Sequence, residues 1–503
     1  MRRIISRNDS GLFELSDIAL ALGGSVTVLG EGFEGTVEIS EIVIDSRNVG
    51  VGDMFVALKG SHADGETYIS DAFSRGAAAV LCRYGAAARC GVRGIYIEVD
   101  DPLTSLVTAA GKARRDSGFT VVGITGSVGK TTVKELCIGI LSEWYPTDGT
   151  RENYNNILGV SLSILNAFGV KKMHELRGKS HKNQKKHLVL ELGISRVGEM
   201  EGLAMLALPD FAVITNVGSM HVEYLGSREG IAAEKARIAL FGVKAVVCPH
   251  DTVLLQELTR YVTRDRIIPL YYSDLSDTLL DCGGGVASAA GVERIGNVDG
   301  RGRYTLGITN GDGIFSKYGE FTAPIVGEHG IFDSALASVL GVECGLGEKH
   351  IQKGLSMYSA APLRQEIRHD GGLVRIVDCY NSGPESVRAG LSAMDEYARA
   401  YGCCRRIAVL GDMLELGEGA EKAHYELGAS LGKFGVDMLF AVGELAEMIA
   451  IGAVENGFSA SAVTFFGRDM PYDLIKRKIE LRLRKGDIIL YKASRGMELE
   501  RLV

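Results

Sequence analysis

Residues 119–132 read FTVVGITGSVGKTT. An apolar, β-branched run with Val121 and Val122 meets a glycine-rich turn, then Lys130, Thr131 and Thr132, then the helical pattern VKELCIGIL. That order predicts strand, phosphate loop, helix. Small residues let the backbone N–H groups of Thr125, Gly126, Ser127 and Gly129 close around phosphate oxygens, and the following helix aims its positive end at the same charge. Lys130 is placed to reach the terminal phosphates of ATP, and the Thr131 hydroxyl to hold Mg²⁺, with Thr132 beside it. The strict G-x-x-x-x-G-K-[ST] pattern is not met, because Ile124 stands at its first glycine position. The shorter TGxxGKTT form is present instead.

The chain of 503 residues is too long for one core, so several domains are expected. Apolar residues make up 46% and charged residues 23%, as in ordinary globular proteins. A net charge of −8 gives no basic field for nucleic acid. The nine cysteines include no C-x-x-C pair, which argues against a disulfide framework or zinc site and for a reducing, cytoplasmic location. The basic start MRRIISRNDSGLFELSD is interrupted by Asp9, Glu14 and Asp17, so it does not read as a signal peptide. No apolar run is long enough to span a membrane.

Organisation follows from alternating patterns and predicts an α/β fold of three domains. Residues 1–117 read as a small α/β domain, with strand-like EIVID, DMFVALKG, AAAVLC and GIYIEVD around a helix at YISDAFSRG, and Ser105 to about Asp116 reads as a helix leading into the phosphate-loop strand. Residues 118–361 read as a parallel mononucleotide-binding sheet, with HLVLELG, DFAVITNVG and KAVVCP alternating with helical segments. Within it, RYTLGITNGDGIFSKYGEF (303–321) carries Asn310-Gly311 and Asp312-Gly313 between alternating segments, the mark of a β-hairpin excursion. Residues 362–503 read as a second, Rossmann-like open sheet built on LVRIVD, RIAVLGDM, DMLFAVG, AVTFFG and DIILYKAS. The basic run 171–187 (KKMHELRGKSHKNQKKH) reads as a solvated loop.

Three further positions suggest chemistry. Glu191 closes the HLVLELG strand, where a carboxylate can join Thr131 and ATP oxygens around Mg²⁺. The loop ITNVGSMHVEYLGS (214–227) delivers Asn216, His221 and Glu223 from one strand end. Lys235 lies in the helical REGIAAEKARI, where spacing alone predicts a surface lysine.

Taken together, TGxxGKTT, the strand-end Glu191, the NVGSMHVEYLGS loop and the EKARI helix resemble the Mur ligase family, which builds the peptide of bacterial cell-wall precursors. VIDSRNVGVGDMFVALKGSHADGETYISDAFSRGAAAVL, RENYNNILGVSLSIL, DCYNSGPESV, RIAVLGDMLELGEGAEKAHYELG and YKASRGMELERLV extend the resemblance over nearly the whole chain. It implies an ATP-dependent amide ligase that joins D-alanyl-D-alanine to UDP-N-acetylmuramoyl-tripeptide through an acyl phosphate. Such an enzyme would act as a cytoplasmic monomer, without nucleic acid or a membrane span. Lys130 and Thr131 would serve the ATP phosphates and the first Mg²⁺, Glu191 would be a metal ligand, and His221 would bind a second Mg²⁺. Lys235 matches a lysine that CO₂ converts to a carbamate, reversing its charge and making a further metal ligand. Asn216, His329, Asp333, Arg364 and Asp378 would line the nucleotide. Ser46, Arg47, Lys59 and Asp64 match the uridine-nucleotide side, Asn153, Asn155 and Asn156 an asparagine-rich substrate loop, Tyr380 and Asn381 the closing third domain, and Lys492, Ser494 and Arg495 a C-terminal basic motif that would touch the peptide. The chain departs from the family pattern at several places: Gly330 and Asp333 replace two asparagines, Leu363 a glycine, and Glu66 a histidine, while Cys379 interrupts an acidic pair. Two other readings share the core residues: an amide ligase of the same superfamily acting on another carboxylate, as in folylpolyglutamate synthetases, and a nucleotide-binding paralogue without turnover.

Overall fold

The computed structural model describes residues 13–30, 36–37, 39–60, 63–151, 153–167, 185–218, 222–272, 289–298, 301–309 and 316–503. His221, the turn at 310–313 and residues 171–184 of the basic run lie outside the described residues. Among the described residues the larger sheets have nine, six and five strands, and helices occupy most of the connections. The α/β class expected from the alternating patterns is therefore present. By its contacts the chain divides into two compact units, one of Met1–Gly123, Trp144–Gly193 and Met200–Asp210, the other of Ile124–Glu143, Ile194–Glu199 and Phe211–Val503.

The first unit holds the five-stranded sheet, in the order Ser25–Leu29, Gly94–Val99, Ala79–Arg83, Met54–Val56, Ile42–Val43. Only the Ser25–Leu29 pairing is antiparallel. Gly94–Val99 is buried at every position, which is why its sequence runs almost continuously apolar instead of alternating. The short strand Ile42–Val43 is extended by a side chain: the Asn166 amide donates to the Ile42 carbonyl at 3.0 Å and accepts from its N–H at 2.8 Å. Asn166 ends the helix Ile157–Asn166, so this amide ties sheet edge and helix together.

The helix expected from Ser105 begins earlier, at Pro102. Asp101 caps it by accepting from the Thr104 N–H at 2.6 Å, and proline suits the first helical position because its missing N–H would have had no partner there. Near its end, buried Arg114 donates to the Ala207 carbonyl at 2.7 Å and the Leu208 carbonyl at 2.6 Å, and pairs with Asp210 at 3.2 Å.

In the second unit, Phe211–Ile214, Ala245–Pro249, Ile267–Tyr272 and Ala289–Val298 pair in parallel in that order. Arg301–Thr309 and Ser316–Val326 then continue the sheet antiparallel. The expected hairpin strands are present, but they extend a sheet from Ala289–Val298, a strand not expected from its polar end. The C-terminal sheet runs Glu366–Asp370, Leu373–Asp378, Ile488–Lys492, Arg406–Gly411, Met438–Val442, Val463–Phe466. All its pairings are parallel except that of Glu366–Asp370. Ile488–Lys492 sits between strands that precede it in the chain, so the strand order reverses there and leaves a crevice at the carboxyl ends. Asp378 and Lys492 lie at that crevice. No described helix is long and apolar enough to cross a membrane.

Replacing Arg114 by alanine removes the donors that match one buried and one part-buried carbonyl. The Arg114→Ala variant is expected to lose roughly 2–4 kcal/mol of unfolding free energy in denaturant titration. An unchanged midpoint would show that water replaces the guanidinium at no cost.

Candidate active site

The phosphate loop follows the strand Thr120–Thr125 and enters the helix Lys130–Ser142. Gly126 has φ +151°, and a Cβ there would lie 1.8 Å from Thr215 Oγ1. Gly129 has φ +84°, and a Cβ there would meet both Asp333 carboxyl oxygens at 2.9 Å. Both positions therefore exclude a side chain, by backbone conformation and by space. The next strand's end braces the loop. Asn216 Oδ1 accepts from the N–H groups of Ser127 (3.2 Å) and Val128 (3.0 Å), and its Nδ2 donates to the Val128 carbonyl (3.1 Å). The Thr215 hydroxyl donates to that same carbonyl, and the Gly218 N–H donates to Ser127 Oγ at 3.0 Å. Lys130 Nζ donates to the Gly126 carbonyl at 2.8 Å and the Ser127 carbonyl at 3.3 Å. Asn216 thus braces the loop.

Thr125 and Thr131 are buried, and Thr125 Oγ1 has no hydrogen-bond partner among the described residues. Tyr358 bonds Thr132, and burial pushes its phenol up to about 12. Burial also pushes the Asp333 carboxyl well above the usual carboxylate range, which favours its neutral form beneath Gly129.

Lys235 corrects the surface reading of its helix. It lies in Arg228–Ala236, started by Ser227, whose Oγ accepts from the Gly230 N–H at 3.1 Å, and it is only 2% exposed. Burial, and then the nearby Lys130 ammonium, hold its amine well below the usual lysine range, against the opposing pull of Glu234. In the first unit, Glu191 is buried at the end of His187–Glu191. Its carboxylate accepts from Asn155 Nδ2 at 2.8 Å, and its N–H donates to Thr150 Oγ1 at 3.0 Å. Asn155 receives the Gly193 N–H at 2.8 Å on its carbonyl, and its own N–H donates to the Asn153 carbonyl at 2.7 Å. Asn156 caps the helix Ile157–Asn166 by accepting from the Gly159 N–H at 2.9 Å. Among the described residues no three His, Cys, Asp or Glu side chains gather as a metal cluster.

The connection into the C-terminal sheet is held in an uncommon conformation. Leu363 (φ +62°) and Gln365 (φ +50°) are both left-handed. The Leu363 carbonyl accepts from the Tyr380 N–H at 3.2 Å, and the Arg364 guanidinium lies 4.0 Å from the Tyr380 ring centre. Gln365 Nε2 lies 2.8 Å from His329 Nε2, and burial lowers the pKa of that histidine. Lys492, expected to meet peptide, is buried and bound to Asp378 Oδ2 at 2.8 Å and the Asn381 carbonyl at 3.0 Å. Ser494 Oγ accepts from the Leu414 N–H at 2.9 Å and donates to the Ser382 carbonyl at 3.4 Å. Arg495 is exposed and paired with Glu500. Cys379 donates to the Tyr491 carbonyl at 3.3 Å, and burial pushes its thiol up to about 12, so it supplies no charge in place of an acid.

On the N-terminal sheet, Ser46 is buried, and Arg47 pairs with Asp45 at 2.6 Å. Lys59 and Asp64 face each other across an antiparallel bridge. The Asp64 carboxylate pairs with Arg83 at 2.6 Å, and Glu66 pairs with Arg83 at 2.7 Å and Arg89 at 2.8 Å. Neither arginine stood out in the sequence, because a pair 17 or more residues apart leaves no local pattern. Glu385 and the loop at Gly417 also escaped notice. A Cβ at Gly417 would lie 3.3 Å from the Glu223 side chain.

A Gly126→Ala chain should fold but lose triphosphate binding, because its methyl group must displace Thr215 and open the loop. Calorimetry with an ATP analogue measures this, and wild-type affinity in the variant would contradict the packing described.

Family models match along the chain: the Mur ligase family catalytic domain over residues 38–107, the Mur ligase middle domain over 124–278, and the glutamate ligase domain of Mur ligases over 363–495. The chain is 33% identical to the UDP-N-acetylmuramoyl-tripeptide–D-alanyl-D-alanine ligase of Bacillus subtilis over 95% of each chain. It resembles a crystal structure of MurF from Acinetobacter baumannii with a TM-score of 0.74 at 23% identity, covering 98% of both chains. The MurF ligase of Thermotoga maritima in complex with ADP aligns with a TM-score of 0.68 at 26% identity, covering 92% of this chain and 96% of that one. With a braced phosphate loop, a buried lysine beside it and matches along its length, this chain belongs to the Mur ligase family.

Proposed function

We propose that this chain is an ATP-dependent amide ligase that joins D-alanyl-D-alanine to UDP-N-acetylmuramoyl-tripeptide in cell-wall precursor synthesis, acting as a cytoplasmic monomer. The observation that carries this reading is likeness over 95% of the chain to a relative bearing that activity's name, together with the phosphate loop. A carboxylate is a poor acyl donor because its charge repels nucleophiles. Phosphorylation by ATP gives it a leaving group. Backbone N–H groups of Gly126, Gly129 and Lys130 and the Lys130 ammonium are proposed to hold the charge spread over the phosphoryl oxygens. The dipeptide's amine then displaces phosphate from the acyl carbon.

The oxygen donor at Thr131 and the Thr125 hydroxyl, which has no partner among the described residues, fit Mg²⁺, which takes few protein ligands and completes its shell with substrate oxygens and water, and Glu191 is proposed as a further metal ligand. When bound, the ion would neutralise phosphate charge. His221 is proposed as a ligand for a second ion. Lys235 is proposed to react as its carbamate. Its burial supports this, because only the neutral amine attacks CO₂ and burial disfavours the ammonium. Residues 1–117 are proposed to hold the uridine nucleotide through Ser46, Arg47, Lys59 and Asp64, residues 118–361 ATP, and residues 362–503 to close over it with Arg364, Asp378, Tyr380 and Asn381. His329 and Asp333 are proposed to line the base. Asn153, Asn155 and Asn156 are proposed to shape the substrate loop, and Lys492, Ser494 and Arg495 the third-domain crevice.

Phosphate release from ATP is expected only when both the UDP-linked tripeptide and D-alanyl-D-alanine are present. Release with neither would point to a plain ATPase, and none with both would sink the ligase reading. Lys130→Ala should lower turnover by roughly 10²–10³-fold or more, since it removes a charge that acts on the transferring phosphoryl group. Lys235→Ala should lose activity that short carboxylic acids partly restore, and a variant as active as the parent would remove the carbamate.

A further inference from the structure

The amide-forming step must dispose of a proton, and no residue has been given that role above. Lys130 is a cation bound to loop carbonyls. Asp378 is held by Lys492, the Glu234 carboxylate accepts from the Gly198 N–H at 2.9 Å, and Asp333 is buried beneath Gly129. One further carboxylate reaches the phosphate loop from the C-terminal sheet's first helix. A Cβ at Gly218 would lie 3.3 Å from Ser127 Cβ, 3.6 Å from Ser127 Oγ and 3.6 Å from the Glu385 carboxyl carbon. Glu385 and Ser127 therefore border one small space over Gly218, whose N–H is already bound to Ser127 Oγ.

The backbone fixes where Glu385 starts. The helix Pro384–Tyr401 opens with proline at its first position, after Gly383 in extended conformation. The Gly383 N–H donates to Ser386 Oγ at 3.0 Å, and the Ser386 hydroxyl donates to the Gly383 carbonyl at 3.0 Å. Two residues upstream of Gly383, the Asn381 carbonyl is held by Lys492. The carboxylate is thus mounted on a rigid turn, yet its own side chain is exposed, so changing it does not open the core.

We propose that Glu385 is a catalytic residue that takes the proton from the attacking amine. The inference rests on the ligase reading above. The dipeptide's amino nitrogen, in its uncharged form, attacks the acyl-phosphate carbonyl carbon and forms the C–N bond. The nitrogen becomes positively charged in the tetrahedral adduct and gives a proton to a Glu385 carboxylate oxygen. The carbon–oxygen bond to phosphate then breaks, phosphate leaves with the electron pair, and Glu385 returns the proton to water. A carboxylate beside the loop also disfavours an ammonium's departure and so helps to seat the incoming amine.

The test separates activation from amine capture. Hydroxylamine is uncharged at neutral pH and traps acyl phosphates without a protein base. With ATP and the UDP-linked tripeptide, Glu385→Gln should keep hydroxylamine-dependent phosphate release near the parent rate. Its release with D-alanyl-D-alanine should fall on the order of 10²–10⁴-fold, the usual worth of a general base. Glu385→Asp should recover part of that loss. Undiminished dipeptide coupling in Glu385→Gln would overturn the assignment. So would equal loss with both nucleophiles, which would place Glu385 in nucleotide binding or activation. If the unaltered enzyme couples no dipeptide, the ligase reading fails and the inference with it.

Discussion

The contact between Gly126 and the end of the strand Phe211–Ile214 is the constraint on which the site depends. The loop passes so close to Thr215 that no Cβ fits at Gly126. In return, Thr215, Asn216 and Gly218 satisfy loop groups at Ser127 and Val128 that would otherwise be buried without partners. An anion-binding loop must keep several N–H groups turned towards one point, an arrangement that repels itself electrostatically. Here that arrangement is paid for by hydrogen bonds from a neighbouring strand, so the loop is formed before any phosphate arrives. Pre-organisation of this kind avoids ordering the loop at the moment of binding.

Around that loop the protein spends burial on charge. Lys235 is removed from water close to the Lys130 ammonium, an arrangement that a permanently charged lysine would resist strongly. Of the two, Lys235 is the more buried and the one whose ammonium is disfavoured. Lys492 shows the opposite solution. Its side chain is just as buried but meets the Asp378 carboxylate and the Asn381 carbonyl, and it acts as a strut under the turn that leads to Glu385. Two buried lysines, one bonded to a carboxylate and one beside a second ammonium, therefore sit in different electrostatic settings.

Four positions read from the sequence as departures from the family pattern each find partners in the structure. Leu363 adopts the left-handed backbone that a glycine would take freely, at a cost of roughly 1–2 kcal/mol. Its carbonyl bond to Tyr380 and its side-chain packing against the lower C-terminal core hold it there. Cys379 is sealed against the Tyr491 carbonyl and behaves as a small apolar residue. Glu66 gains two arginine partners, Arg83 and Arg89, and so stabilises the turn that presents Asp64. Asp333 packs against the loop glycine as a buried acid.

Much of this was legible in the chain itself. Glycines followed by Lys130 and Thr131 announce an anion loop wherever they fall between an apolar strand and a helix, because only local backbone freedom and helix polarity are needed. Continuous apolar runs such as 94–99 and 187–191 likewise announce buried parallel strands. The helix start at Pro102 was missed although Asp101 and Pro102 spell a cap, whereas Ala289–Val298 was hidden by its polar, exposed end. Side-chain roles were less legible. The sequence showed neither that Asn216 braces the loop nor that Lys492 binds Asp378, and Lys235 looked like a surface residue and is buried. Local order along the chain is set by neighbours a few residues apart, which a sequence displays. Whether a polar group keeps its charge, and which partner it finds, depends on residues about ninety to over a hundred positions away, and only the folded packing brings those together.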